Sequence, residues 1–386
     1  MKRNIKLLKV IIPLFQTWFW LGVWLLYYLK FTNYAGIGLI ETTWASLAFF
    51  LEIPTGAFSD LFGKKKTLMF AFMLASTGNL LMGFAQSTSY LVVSVFIMGI
   101  GGSLYSGTAE AVIYDSLKSI NLENEYEKTL SVIKRNSLLF MASASFIGGY
   151  LYKLNNSLPF FATSFAYFIG MIMIIWLKEP EIDSEKFSLR NYVEQTKQGF
   201  HELFSKKIDK LFLIQILASF SLAVILIEVV DPALALDFGF SEGQLGIIYA
   251  IVPIISAIGA AYYPVLRKRF SQKALFWTTS SVMIVTTIIS PQLGLITGGS
   301  FLVLRNFFYP FYELISSDTI NQHIDSKYRA TTISTFVTML SIPYVASIYF
   351  IGRNIDEYGV DNIISKIAAI IFTILIVSIA IKLAKK

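Results

Sequence analysis

The sequence predicts an all-α polytopic membrane protein, with twelve transmembrane helices arranged as two pseudo-symmetric six-helix bundles. Three observations carry that prediction: a composition too apolar for a water-soluble core, twelve apolar runs long enough to cross a bilayer, and a repeat relating the two halves of the chain. Of the 386 residues, 55% are hydrophobic and only 15% are charged, where a soluble domain carries about a quarter charged residues. With 33 Phe and 20 Tyr, the apolar surface exceeds what one soluble core buries, and lipid must solvate the excess.

Composition also excludes function classes. The chain has no cysteine, which removes disulfides, thiolate metal sites and cysteine nucleophiles. The two histidines, His201 and His323, fall in polar loops, so neither a metal centre nor a Ser-His-Asp triad is expected within the membrane. Gly99-Ile100-Gly101-Gly102 has the composition of a nucleotide loop, but it lies inside an apolar run with no strand before it. No metal, no cofactor and no enzymatic activity are expected.

A hydrocarbon core of about 30 Å needs roughly 20 apolar residues per helix. Such runs occur at 7–29, 35–58, 67–85, 89–116, 129–152, 157–177, 207–230, 241–265, 273–290, 294–318, 330–352 and 358–382. The first is too long for a secretory signal and no small-residue cleavage site follows it, so it reads as a retained span. Basic residues set the orientation. Apart from Lys30, Lys153, Arg305, Arg353 and Lys366, every Lys and Arg lies in the N-terminus, the C-terminus or the alternate connections around 59–66, 117–135, 178–210, 266–273 and 319–329. Lys and Arg accumulate on the cytoplasmic side, so both termini are expected in the cytoplasm, with the protein in the cell (inner) membrane. The net charge of +7 then serves orientation. It is not a nucleic-acid patch, because no basic run outside the membrane is interleaved with stacking aromatics. The polar stretch from Lys178 to Lys210 reads as a partly helical linker. The expected organisation is a bundle over 1–177, a cytoplasmic linker over 178–206 and a bundle over 207–386, in a monomer.

The two halves repeat. Gly259-Ala260 follows Gly56-Ala57 by 203 residues, and Arg267-Lys268-Arg269 follows Lys64-Lys65-Lys66 at the same interval. Glu313 repeats Glu110 and Asp318 repeats Asp115, again 203 residues on. A constant offset across two separate helices marks a duplication, and duplicated six-span halves place a substrate site between them near the midplane.

The segment Gly56-Ala-Phe-Ser-Asp60-Leu-Phe-Gly63-Lys64-Lys65-Lys66-Thr67 resembles the signature of the major facilitator superfamily between its second and third spans: a Gly, an Asp four residues on, another Gly, then basic residues. The resemblance implies transport by alternating access, with spans 1, 4, 7 and 10 lining a central cavity. Physical chemistry agrees with it. Gly56 lets a neighbouring helix approach closely, and Asp60 would face the positive N-terminal end of span 11. Lys64 and Lys65 could pair with Asp115 at the cytoplasmic end of span 4. Gly56, Asp60, Gly63, Lys64, Lys65 and Asp115 are therefore expected to form a conformational latch. In the second half Tyr263 stands where Asp60 would repeat, so that latch is expected to be degraded. Two further departures concern direction of transport. Val95 precedes Gly99-Ile100-Gly101 where drug antiporters of the family often carry an arginine, and no proline precedes Gly148-Gly149.

Ionisable groups inside apolar runs cost several kcal/mol unless paired or hydrated, so each is a functional candidate. Glu52, followed by Pro54, and the repeat pair Glu110 and Glu313 are expected to carry protons. Gln16, Trp20 and Trp24 recur at intervals of four and would share one stripe of span 1. With Glu228 and Arg305 they form the expected substrate cavity. Arg305 must meet a carboxylate, with Glu228 or Glu313 the expected partner, or else a substrate anion or water. Asp231-Pro232 is expected to end span 7. The function expected is proton-coupled export of small amphipathic molecules, of the multidrug-efflux kind, with protons, a small-molecule substrate and the lipid bilayer as partners. Import of a small anionic or zwitterionic nutrient and lipid transport on the same fold are the alternatives.

Overall fold

With no water in a bilayer to satisfy the backbone, an apolar run must bond to itself, and among the described residues the apolar runs are largely helical. The computed structural model describes residues 1–180, 189–205, 208–324, 326–367, 369–370 and 372–373, and among them no strand occurs. The first run is divided: α1 (Lys2–Leu14) and a short α2 (Trp24–Tyr28) are separated by an irregular stretch. Next comes α3 (Tyr34–Phe62), capped by Asn33, whose side chain accepts from the Gly36 amide at 3.0 Å. It stops at Gly63, whose φ of +89° suits a residue without Cβ. Then follow α4 (Lys64–Gly83), α5 (Thr88–Lys118), α6 (Tyr126–Leu154) and α7 (Leu158–Ile175).

The polar stretch after α7 contains α8 (Leu189–Leu203), in keeping with the partly helical character expected there. After it, α9 (Lys210–Ile225) passes through a π-turn, Leu226–Val230, into α10 (Asp231–Asp237). The remaining described elements are α11 (Glu242–Arg267), α12 (Gln272–Ile289), α13 (Leu295–His323) and α14 (Ser326–Tyr358). Among the described residues, six helical segments are long and apolar enough to cross a membrane by length and composition: Thr88–Lys118, Leu158–Ile175, Lys210–Asp237, Glu242–Arg267, Gln272–Gln292 and Thr335–Tyr358. Asp231-Pro232 does not end a helix as expected. Pro232 sits in the first turn of α10, where its missing N–H costs nothing.

The chain divides into two compact units. One comprises Met1–Leu189 with Glu242–Ala250, the other Arg190–Ser241 with Ile251–Lys386. In the first, Phe15 stacks on Tyr105 at 3.8 Å and on Tyr167 at 4.9 Å, with Phe72 edge-on at 4.9 Å. Leu8, Ile11, Leu68, Val112 and Ile133 close around these rings. In the second, Tyr312 is the hub: it stacks with Phe220 at 5.7 Å, meets Phe276 edge-on and shares a hydrogen bond with Ser280 at 3.0 Å. Because lipid is as apolar as these rings, the packing is held by van der Waals contact, which favours close backbone approach at small residues. A Cβ on Gly259 would overlap the Phe307 carbonyl oxygen, so only glycine allows α11 and α13 to meet there.

Candidate functional site

The first run is interrupted for identifiable reasons. Pro13 has no N–H to offer the carbonyl of Lys9, and the Asn136 side-chain amide donates to that oxygen instead, at 3.1 Å. Beyond it the backbone tightens. Amides of Trp18 and Phe19 reach only to the carbonyls of Gln16 and Thr17. Side chains take over the freed groups: Thr17 Oγ1 donates to Leu14 O at 2.6 Å and Trp18 Nε1 to Phe15 O at 3.0 Å. Tyr167 also donates to Phe15 O, at 3.0 Å, Tyr105 donates to Ile12 O at 3.3 Å, and Thr163 accepts from the Phe19 amide. A Cβ on Gly148 would overlap the Phe19 carbonyl oxygen, so the unwound stretch rests directly on α6.

This interruption corrects the expected stripe. Gln16, Trp20 and Trp24 do not share one helical face, because no helix joins them. Gln16 lies beside the Tyr105 phenol. Trp20 stacks between Trp18, at 5.7 Å, and Phe160, at 6.4 Å. Trp24 meets Tyr28 edge-on at 5.4 Å.

The second unit has its own interruption. In the repeat, Val23 corresponds to Leu226, so the π-turn begins where the break of the first run ends. The two interruptions adjoin in the repeat without coinciding, and an interrupted helix in each half of a duplicated transporter is a pointer to its binding site. The π-turn has a direct consequence for two acids. In a regular α-helix Glu228 and Asp231, three residues apart, would share a face. The wider turn moves them apart. Asp231 turns into the protein and Glu228 reaches open space.

Arg305 is fully buried at 0% exposure. Its guanidinium meets the Asp231 carboxylate through Nη2 at 2.6 Å and Nε at 3.1 Å, and Nη1 donates to the Thr286 carbonyl at 3.2 Å and to Ser290 Oγ at 2.9 Å. The expected partners, Glu228 and Glu313, are therefore corrected to Asp231, and in this conformation Arg305 faces no open space. Glu228 is exposed, and it makes no hydrogen bond or ion pair among the described residues. Glu110 and Glu313 are likewise exposed and unpaired among them. The side chains of Glu52, Gly56 and Asp60 lie outside the described residues.

At the start of α4 the latch residues come together in part. Lys64 pairs with Asp115. Lys65 does not: neighbouring residues on a helix point about 100° apart, and its ammonium donates to the Ile175 carbonyl at 2.8 Å. The sequence reading missed Glu179. Its carboxylate accepts from the Lys64 amide at 2.7 Å and the Lys65 amide at 3.1 Å, a charge at the positive end of α4. It also lies 3.1 Å from where a Cβ on Gly63 would be. The only hint in the sequence was an acid directly after the sixth run.

The second half keeps a cluster of its own, with Tyr263 at the place of Asp60. Arg267 Nε lies 3.5 Å from Asp318 Oδ2, and Tyr263 donates its phenolic hydrogen to the same oxygen at 2.8 Å.

Residues 10–348 match the family described as the Major Facilitator Superfamily. The chain is 24% identical over 329 residues to an uncharacterised MFS-type transporter of Bacillus subtilis (strain 168), YxaM, covering 81% of this chain and 79% of that one. It is 25% identical to multidrug resistance protein 1 of the same organism over 66% of this chain and 65% of the relative. Among solved structures, the nucleoside transporter NupG superposes with a TM-score of 0.80 at 15% identity, over 98% of this chain and 98% of the other. A POT family transporter in complex with 5-aminolevulinic acid gives 0.70 at 14% identity, over 98% and 96%. At such identities the superpositions establish a shared fold and nothing finer.

Proposed function

Because the chain belongs to the major facilitator superfamily, we propose that it is a twelve-span, proton-coupled secondary transporter that exports small amphipathic molecules by alternating access. Two six-helix bundles, over 1–177 and 207–386, are joined by the linker 178–206. The protein works as a monomer in the cell membrane, with both termini in the cytoplasm. The observation that carries this reading is that the first run of each repeat is interrupted and that each unit holds a carboxylate unpaired among the described residues: Glu110 in the first, Glu228 and Glu313 in the second. A carboxylate that faces water inside a membrane protein and lacks a fixed counter-ion can exchange a proton for a substrate. The name of the 25% identical relative, a multidrug resistance protein, supports export. Import of an anionic nutrient had rested on Arg305, whose charge is already matched by Asp231.

In this mechanism Glu52, Glu110 and Glu313 are the proton-carrying candidates. Gln16, Trp20, Trp24 and Glu228 belong to the substrate cavity, with Arg305 fixing its wall. Gly56, Asp60, Gly63, Lys64 and Asp115 form the latch, with Lys65 holding the end of α7. The test is transport in proteoliposomes under an imposed pH gradient, comparing wild type with Glu52→Gln, Glu110→Gln and Glu313→Gln. Gradient-driven extrusion that disappears in at least one variant is the expected result. Exchange that ignores the gradient and survives all three changes overturns the proton-coupled reading.

A further inference from the structure

We infer that Asn4 is a positioning residue for the latch: it closes a circuit of contacts through which the N-terminal helix α1 helps to hold Lys64 on Asp115. The inference rests on the transporter reading above and adds an uncharged member to the latch proposed there. Asn4 is 1% exposed, and its carboxamide brackets a single residue just beyond α7. Oδ1 accepts from the Lys178 amide at 3.0 Å, while Nδ2 donates to the Lys178 carbonyl at 2.8 Å and to Ser116 Oγ at 3.2 Å. Glu179 comes next in the chain, about 3.8 Å away from Cα to Cα. Fixing Lys178 therefore aims the Glu179 carboxylate at the amides of Lys64 and Lys65, which have no partner within their own helix. Lys64 in turn pairs with Asp115, Asp115 precedes Ser116, and Ser116 leads back to Asn4. Every member of the circuit belongs to the first unit.

The chemistry of the position asks for a carboxamide. Lys178 lies past the end of α7, so its N–H and C=O must find partners outside the helix. A carboxylate at position 4 would accept from that N–H but repel the carbonyl, and an alanine would serve neither. Because Asp115 and Ser116 are adjacent, a displacement of the end of α5 breaks the ion pair and the Asn4 contact together, and the latch opens as one unit. The second unit repeats the arrangement with a different donor. Gln272, at the start of α12, donates at 2.8 Å to Thr319 Oγ1, and Thr319 both follows Asp318 and stands 203 residues after Ser116. In each unit a carboxamide from another helix thus holds the hydroxyl that follows the acid of the cluster.

The experiment measures the rate at which each lysine of the full chain, in lipid nanodiscs, is acetylated by a water-soluble succinimidyl ester, read by mass spectrometry. Lys64 is buried and paired, whereas Lys66 of the same turn is exposed and makes no hydrogen bond or ion pair among the described residues, so Lys66 is the internal reference. Asn4→Ala and Asn4→Asp should each raise the Lys64 rate relative to Lys66 about tenfold, the equivalent of one charge-assisted hydrogen bond. Ser116→Ala, which removes one contact of the circuit, should raise it by a smaller factor. Tyr27→Phe removes the hydroxyl that donates to the Met82 carbonyl at the other end of α4 and should leave the ratio unchanged. An unchanged ratio in Asn4→Ala, or in Ser116→Ala should the Asn4 variants fail to fold, overturns the inference. So does an equal rise in Tyr27→Phe, which would mark general loosening. A Lys64 response in a protein without gradient-driven transport would sink the exporter reading and leave the circuit standing. Gradient-driven transport with an unresponsive Lys64 would do the reverse.

Discussion

Where the second unit carries Asp231 and Arg305, the repeat places Tyr28 and Gly102 in the first. The interrupted first run is accordingly held by neutral hydroxyls on carbonyls: Tyr105 to Ile12, Tyr167 to Phe15, and nearby Tyr27 to Met82 at 2.7 Å. The interrupted helix of the second unit is held by a buried ion pair. A phenol that loses its partner costs about as much as one hydrogen bond, whereas a buried guanidinium that loses its carboxylate is left as an uncompensated charge. The duplicated scaffold thus has one repeat that should tolerate single deletions of a polar atom and one that should not.

The largest expected effect breaks the ion pair. Asp231→Ala or Arg305→Ala should destabilise the folded protein by about 3–5 kcal/mol, read as lost monodisperse yield and a lower melting temperature in detergent. Replacing both, as Arg305→Met with Asp231→Leu, should recover most of the loss. Single variants that melt like wild type would remove the contrast between the units.

A smaller effect is expected where Pro13 leaves the Lys9 carbonyl to Asn136. Asn136→Leu should cost about 1–3 kcal/mol, and Pro13→Ala in the same background should restore part of it by returning a backbone donor. No rescue by Pro13→Ala would mean that Asn136 stabilises something other than that carbonyl. Next, Tyr167→Phe in the first unit and Tyr263→Phe in the second each remove one hydroxyl donor and should cost about 0.5–1.5 kcal/mol. Tyr263→Asp, which sets a carboxylate beside Asp318, should cost more than Tyr263→Phe. The reverse order would show that Tyr263 contributes by ring packing alone.

The smallest effect lies just ahead of α9, outside the Lys210–Asp237 span. Asp209 caps the helix by accepting from the Phe212 amide at 3.3 Å and pairs with Lys273 at 2.9 Å. Partial burial pushes its carboxyl up, but the Lys273 hydrogen bond, the backbone amides and the Lys273 charge outweigh this and hold it below the usual carboxylate range. A depressed acid stabilises the fold above its unfolded pKa, about 3.9, and the contribution fades as pH falls through the folded value. Half-exposed and screened, it should amount to less than about 1 kcal/mol. Asp209→Asn should therefore flatten the pH dependence of the melting temperature slightly below about pH 4 and leave it unchanged elsewhere.

How far the site could be read from the sequence depended on what kind of signal each residue gave. The Gly56 to Thr67 segment and its copy at Gly259 and Arg267 were legible because spacing and type are linear properties. Lys64 with Asp115 followed from them. Glu179 was not legible, because its role exists only where the end of α7 meets the start of α4. The stripe of Gln16, Trp20 and Trp24 failed because regular helical geometry was extrapolated through a proline and a run of aromatic residues whose hydrogen bonds are made by other helices. Arg305 was correctly singled out as anomalous, yet its partner could not be chosen among nearby acids: the π-turn, invisible in apolar periodicity, moves Glu228 and Asp231 onto different faces.

By itself the sequence determined the helical class, the membrane setting, the duplication and the residues that would be costly to bury, because these follow from composition and interval alone. Only the tertiary structure decided which acid neutralises Arg305, which carboxylates are left facing open space, and where the first and seventh runs cease to be α-helical. Those outcomes depend on donors and acceptors supplied by distant parts of the chain, and a buried polar group takes whichever partner the packing brings within reach.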